Sequence, residues 1–246
     1  MLKAIFFDLD DTLENWWIAK TAIKNKFCGI ISKKYRINKD KFFKMFVKVE
    51  YEIVGRSLNP FNYSRFVWLK ETFKRFKIKL RDSEAKNLEN LYWKIAFSKI
   101  KAYPDTIPML KKLRNYKKII VTDSDGDRHN EIKNKKIRVL GIRKYFDLII
   151  TSNDTGKNKP DKSIWKSALK KFRLSPKECM MVGDKPEMDL KPTKEMGFTT
   201  VWMKRGDWAS RRKAIIFYGK KYIPMSNLQK LSNKISLSTT CWQKKS

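Results

Sequence analysis

Leu2-Lys3-Ala4-Ile5-Phe6-Phe7-Asp8-Leu9-Asp10-Asp11-Thr12, residues 2–12, runs from a short apolar stretch straight into a cluster of carboxylates. Leu2 to Phe7 is too short for a helix and rich in β-formers, so it reads as a buried strand. Asp8 then stands at the carboxyl end of that strand. In open α/β sheets, ligands bind in the crevice outside such ends.

Further apolar runs recur at Lys118–Thr122, Asp147–Thr151, Cys179–Gly183 and Thr199–Met203. Helical patterns precede each of them: Pro108–Asn115, Glu131–Leu140, Asp161–Phe172 and Leu190–Met196. Strands alternating with helices predict an α/β fold, a parallel sheet covered on both faces. Residues 14–103 break that rhythm with four helix-length patterns, Trp17–Tyr35, Lys39–Val54, Tyr63–Phe76 and Ser83–Ile100. Lys39–Val54 places Phe42, Phe43, Phe46, Val47, Val49 and Ile53 near the 3.6-residue period. The expected organisation is a core of residues 1–13 and 104–246 with an all-helical domain, 14–103, inserted after the first strand. Beyond Met203, Tyr222-Ile223 is expected as a short edge strand and Ser226–Leu231 as a short helix.

The chain has 246 residues, with 41% hydrophobic and 13% aromatic content, which suffices for a buried core. No apolar stretch approaches the roughly 18 residues of a membrane helix, and Asp8 interrupts the N-terminal apolar run before it can serve as a signal peptide. A soluble, cytoplasmic protein is expected, with no membrane partner. Cys28, Cys179 and Cys241 are scattered and odd in number, which suits neither a disulfide framework nor a zinc site. The formal net charge is +32. Such a field attracts anions: phosphorylated metabolites, nucleic acid or acidic lipid. The excess is spread along the chain, with 22 Lys/Arg against 8 Asp/Glu in residues 14–103, and 11 basic residues against Asp207 alone in 204–246. A general lysine bias accounts for this without a dedicated partner.

Four strand ends carry chemistry. Asp8 ends the first strand, Thr122-Asp123 the second, Lys159-Pro160 follows the third, and Gly183-Asp184 ends the fourth, with Asp189 five residues on. A carboxylate can attack phosphorus and divide hydrolysis into two easier steps. Its target is anionic, so a divalent cation is needed, and Mg²⁺ favours a few carboxylates plus water and phosphate oxygens. Asp8 and Asp184 supply such carboxylates. Lys159 and Thr122 suit the binding of phosphoryl oxygens. Asp10 suits proton transfer to the leaving group and from the attacking water.

The motif set resembles the haloacid dehalogenase superfamily of phosphohydrolases. D-x-D-x-T appears as Asp8-Leu9-Asp10-Asp11-Thr12, the strand-ending Ser/Thr as Thr122, the Lys-Pro pair as Lys159-Pro160, and G-D-x-x-x-x-D as Gly183 to Asp189. The resemblance covers residues 1 to about 205 and implies a Rossmann-like core in which Asp8 is the nucleophile and Asp10 the acid/base. It implies Mg²⁺ held by Asp8, the Asp10 main-chain carbonyl and Asp184, with Asp189 supporting the metal or Lys159. The helices after the first motif look like the family's first cap type. The layout is similar to that of archaeal glyceraldehyde-3-phosphate and phosphoglycolate phosphatases. The family's carbon–halogen hydrolases lack the second aspartate, so Asp10 argues for a phosphate substrate. Lys157 is an alternative to Lys159, but the following proline favours Lys159.

The expected activity is therefore hydrolysis of a small phosphorylated metabolite by a monomer or homodimer. A phosphosugar mutase would use the same residues. A nucleic-acid-binding protein or polynucleotide phosphatase is the alternative drawn from the charge, with Trp208, Phe217, Tyr218, Tyr222 and Trp242 as stacking candidates, although no nucleic-acid motif accompanies them. Asp11, Asp123 and Asp125 read as turn formers, His129 as a solvated loop residue, and Trp16 and Trp17 as packing residues. Arg56 and Arg65 could hold an anionic substrate tail, but a lysine-rich helical face is usually just solvated.

Overall fold

β1 (Ala4–Phe7) lies inside a sheet, and the two-residue period of a strand sends its side chains to opposite faces. Ala4 and Phe6 join Ile119, Val121, Trp165, Met181 and Trp202 on one face. Ile5 and Phe7 join Ile120, Val182, Val201 and Met203 on the other. The coordinates are a computed structural model of residues 1–246, and they describe all but residues 55, 56, 127, 128, 207–222, 227, 229, 230 and 232–246, together with the side chains of 223–225.

The sheet has six strands: β1, β2 (Lys117–Thr122), β3 (Leu148–Thr151), β4 (Cys179–Gly183), β5 (Thr199–Met203) and β6 (Ile223–Met225). Their order is β3-β2-β1-β4-β5-β6 and each pairing is parallel. The order reverses beside β1, so the carboxyl ends of β1, β2 and β4 open onto one crevice. The expected edge strand is β6; Tyr222 lies outside the described residues, as does most of the helix expected over 226–231.

Between β1 and β2 the chain forms α1 (Trp16–Ala22), α2 (Cys28–Tyr35), α3 (Lys39–Val54), α4 (Arg65–Arg75), α5 (Asp82–Phe97) and α6 (Thr106–Lys112). The single helix expected over 17–35 is α1 and α2 joined by one wide turn, Ile23–Phe27. α3 has the expected bounds and buries Phe42, Phe46 and Val49. Phe42 meets Phe73 edge-on at 5.3 Å, and Phe46 meets Trp68 at 6.0 Å and Tyr92 at 5.9 Å. These aromatic pairs pack the helices of the insert together, within an apolar cluster that continues to Ile5 and Phe7 of β1. Ser64 caps α4 by accepting the Phe66 N–H at 3.1 Å. α6 begins two residues earlier than expected, because Pro108 is tolerated in a first turn whose N–H groups lack helical partners.

The crossovers back to the sheet are α7 (Glu131–Val139), α8 (Ser152–Thr155), α9 (Ser163–Phe172) and α10 (Lys191–Met196). α9 buries Ile164, Trp165, Ala168 and Leu169, a stripe of helical spacing laid on the sheet. Asp161 accepts the Ser163 N–H at 2.9 Å, which moves the start of α9 to Ser163. Among the described residues, no helix is long and apolar enough to cross a membrane.

Candidate active site

Asp8 leaves β1 with its main-chain N–H still tied to Val182 of β4 at 2.9 Å, so its side chain is fixed at the sheet's carboxyl edge. A cavity of about 870 Å³ lies above that edge, between the core and the helical insert. Asp8, Asp10, Thr122, Lys159 and Asp184 all line it. Five candidates from four separate strand ends therefore share one cavity.

Lys159 is the hub. Its buried ammonium donates to Asp8 Oδ1 and to Asp189 Oδ1, both at 2.6 Å. Its main-chain N–H donates to Asp123 Oδ1 at 2.8 Å, which holds the loop after β3 against the loop after β2. Burial alone would lower the ammonium's pKa, but Asp189, Asp8 and Asp123 outweigh it and raise the value well above the usual lysine range. Lys157 instead ends on the surface beside Asp161 at 3.5 Å. Thr12 donates to Asp8 Oδ2 at 3.5 Å. Thr122 turns its hydroxyl to the Asp123 carbonyl at 3.4 Å.

Asp184 is buried, and neither of its carboxylate oxygens has a hydrogen-bond partner among the described residues. Burial first, and then Asp8, Asp11 and Asp189, push its carboxyl well above the ordinary range against the pull of Lys185. Asp8, Asp184 and Asp189 can each bring one oxygen within 4.8 Å of the others. A buried, orphaned carboxylate in a cluster of hard oxygen donors is the environment a divalent cation stabilises, so these residues fit Mg²⁺. Gly183 is required here for space: a methyl group on it would lie 2.7 Å from Asp189 Cβ. Burial raises Asp189 to about 6 despite Lys159.

Asp10 turns away from this cluster. Its Oδ2 accepts from Lys133 at 2.5 Å and its Oδ1 from Lys136 at 2.7 Å. Both lysines project from α7 and are wholly buried. Burial would raise Asp10, but the two ammonium groups prevail and hold it well below the usual carboxylate range. Asp10 is therefore held in its ionised form, and to give a proton to a leaving group it must first acquire one.

The turn-former readings of Asp123 and Asp125 miss their roles. Asp125 is buried, accepts from Arg65 Nη1 at 3.0 Å, and is ion-paired to Lys133 at 3.3 Å. Arg65 does not reach for substrate as a free charge. It is stacked between Trp68 and Trp93, at 4.3 and 4.6 Å, and it anchors the insert to the core. Lys133 and Lys136 also contradict the expectation of solvated lysine faces. A signal for them does exist: with Ile137 and Leu140 they form the i, i+3, i+4, i+7 stripe of α7, so they occupy core-facing positions. Trp16 packs on Trp93 at 6.1 Å and covers Lys136 at 4.0 Å, whereas Trp17 and His129 are exposed. Arg56 and the aromatic candidates of the C-terminal tail lie outside the described residues.

The model of the haloacid dehalogenase-like hydrolases matches residues 2–197, and the chain belongs to that family. It is an enzyme, a hydrolase of the phosphatase kind. Among its relatives, the glyceraldehyde 3-phosphate phosphatase of Methanocaldococcus jannaschii is 30% identical over 85% of this chain and 87% of its own length. The enzyme of the same name from Pyrococcus furiosus is 29% identical over 85% of this chain and 83% of its own. The crystal structure of a HAD phosphatase from Thermococcus onnurineus superposes with a TM-score of 0.65, 27% identity, and coverage of 95% and 98% of the two chains.

Proposed function

We infer that this chain is a Mg²⁺-dependent phosphatase that hydrolyses a small phosphorylated metabolite through a phosphoryl group carried on Asp8. The observation that carries this reading is the shared cavity, where a nucleophile, a lysine, a hydroxyl and an orphaned carboxylate from four strand ends face one another.

Mg²⁺ would be held by the Asp8 and Asp184 carboxylates and the Asp10 main-chain carbonyl, with Asp189 behind them. When bound, it neutralises phosphoryl charge, which lets an anionic nucleophile approach an anionic ester. An Asp8 oxygen forms a bond to phosphorus as the ester P–O bond breaks. The leaving oxygen takes a proton through Asp10. Water then attacks the phosphorylated Asp8, its proton passes to the Asp10 carboxylate, and phosphate leaves with Asp8 restored. Lys159, held between Asp8 and Asp189, aims its charge at the phosphoryl oxygens and steadies the nucleophile. The helical insert acts as a cap, with Tyr63 and Trp68 among the side chains it turns into the cavity. Relatives named glyceraldehyde 3-phosphate phosphatases make triose phosphates the first substrates to test.

The test is hydrolysis of 4-nitrophenyl phosphate and of a panel of sugar and triose phosphates, with Mg²⁺ and with EDTA. Asp8→Asn and EDTA should each abolish phosphate release. Full activity in Asp8→Asn overturns the assignment. An isomerised sugar phosphate formed without phosphate release would instead identify a mutase.

A further inference from the structure

Lys133 and Lys136 are not part of the motif set, yet they form the most strongly organised charge cluster beside the site. Three cations, Arg65, Lys133 and Lys136, meet three carboxylates, Asp10, Asp125 and Glu14, and every one of these side chains except Asp10 is buried. Lys136 donates to Asp10 Oδ1 at 2.7 Å and to Glu14 at 3.3 Å, under the Trp16 ring. Lys133 bridges Asp10 at 2.5 Å and Asp125 at 3.3 Å. Asp10 is the most exposed member of the cluster, its side chain 25% accessible, and it lines the cavity together with Arg65, Asp125 and Lys133.

Burying an ammonium group is costly unless the partners are close and well aligned. A fold that needed only stability would place leucine or methionine at these core-facing positions of α7. The expense is intelligible if the carboxylate oxygens of Asp10 must be held at defined points. One ammonium on each oxygen does this, because rotation of the carboxylate would break both contacts at once.

The geometry points to Lys133 and Lys136 as positioning residues that hold the Asp10 carboxylate for the second half of the reaction, the attack of water on phosphorylated Asp8. This deepens the phosphatase reading and rests on it. In that step the water oxygen bonds to phosphorus, the bond from phosphorus to Asp8 breaks, and the water proton goes to a free lone pair of Asp10. Asp125 holds Lys133 from behind, and through Arg65 it ties that grip to the docked helical insert.

The test uses the full chain with 4-nitrophenyl phosphate. Its leaving group departs without a proton, so kcat/KM reports formation of the phosphorylated enzyme and kcat can report its hydrolysis. Lys133→Met should lower kcat by about 10–100-fold. KM should fall in parallel, leaving kcat/KM near the wild-type value, and acid-quenched enzyme should carry more phosphate on Asp8. Lys133→Arg should restore part of kcat. A fall in kcat/KM as large as that in kcat, with no added phosphoenzyme, indicates a structural role only and overturns the proposal, as does an unchanged kcat. If Lys133→Met does not fold, Asp125→Asn is read by the same criteria. Wild-type enzyme without Mg²⁺-dependent hydrolysis would sink the phosphatase reading itself, before any lysine variant is measured.

Discussion

Lys159→Met removes a cation that faces two buried carboxylates at 2.6 Å each. At an effective dielectric of about 20, each contact is worth roughly 6 kcal/mol of gross attraction. Most of that offsets the desolvation of three charged groups, so the net loss on deleting one partner is about 3–5 kcal/mol. For a chain of this size that corresponds to a fall in melting temperature of roughly 6–20 °C. The loss also depends on pH, and its sign can be worked out. Burial already raises Asp189 to about 6 with Lys159 present, and removing the ammonium's downward pull moves it higher. Asp189 in the variant can therefore shed its charge in mild acid but not in base. The stability gap between wild type and variant should widen from pH 6 to pH 8 and narrow toward pH 5. Thermal unfolding followed by circular dichroism in EDTA, at several pH values, measures this. Activity at pH 7.5 with Mg²⁺ should fall at least 100-fold, since a preorganised charge at the phosphoryl group is lost. A variant that melts within 2 °C of wild type at pH 8 (the ~ limit of a negligible change) and keeps its kcat would refute the central role given to Lys159.

Asp184→Asn removes a buried ionisable carboxyl whose oxygens lack a hydrogen-bond partner among the described residues, so its melting temperature in EDTA should exceed that of wild type while activity disappears. Because the folded-state value of Asp184 lies above 3.8, metal-free wild type loses stability as pH rises from there, and the variant should lack this term. Mg²⁺ at about 100 times its Kd should stabilise wild type by about 2.7 kcal/mol and leave the variant's melting unmoved. Gly126→Ala places a methyl group 2.2 Å from the Ser64 main-chain nitrogen at a backbone φ of +84, so the insert must shift from the core. The strain is about 1–3 kcal/mol, to be seen as a lower melting temperature and a raised KM. Phe42→Ala opens the aromatic centre of the insert and should cost about 3–5 kcal/mol in denaturant unfolding. Burial pushes the Cys28 and Cys179 thiols up to about 12, so at pH 8 peptide mapping should find both alkylated about a thousand-fold more slowly than an ordinary free thiol.

The parallel sheet and the helical insert are legible in the sequence because they depend on short-range patterns. A strand buried on both faces needs a continuous apolar run, and a packed helix needs a 3.6-residue stripe, so β4, β5 and α3 have their expected bounds. Boundaries shift where one polar contact decides them, as Asp161 does for α9. The candidates at the strand ends are legible for a related reason: parallel strands in one sheet all present their carboxyl ends to the same edge. The stripe of α7 marks Lys133 and Lys136 as core-facing, but which carboxylates they meet around Asp10 is decided by tertiary structure. Lys133 and Lys136 lie 123 and 126 residues from Asp10, and Arg65 lies 60 from Asp125. A lysine at a core-facing position has the same local sequence whether solvent or a carboxylate awaits it. Only the docking of α4 and α7 on the β1 loop brings opposite charges close enough to offset desolvation, so only the folded chain determines which surface-type residues lie inside.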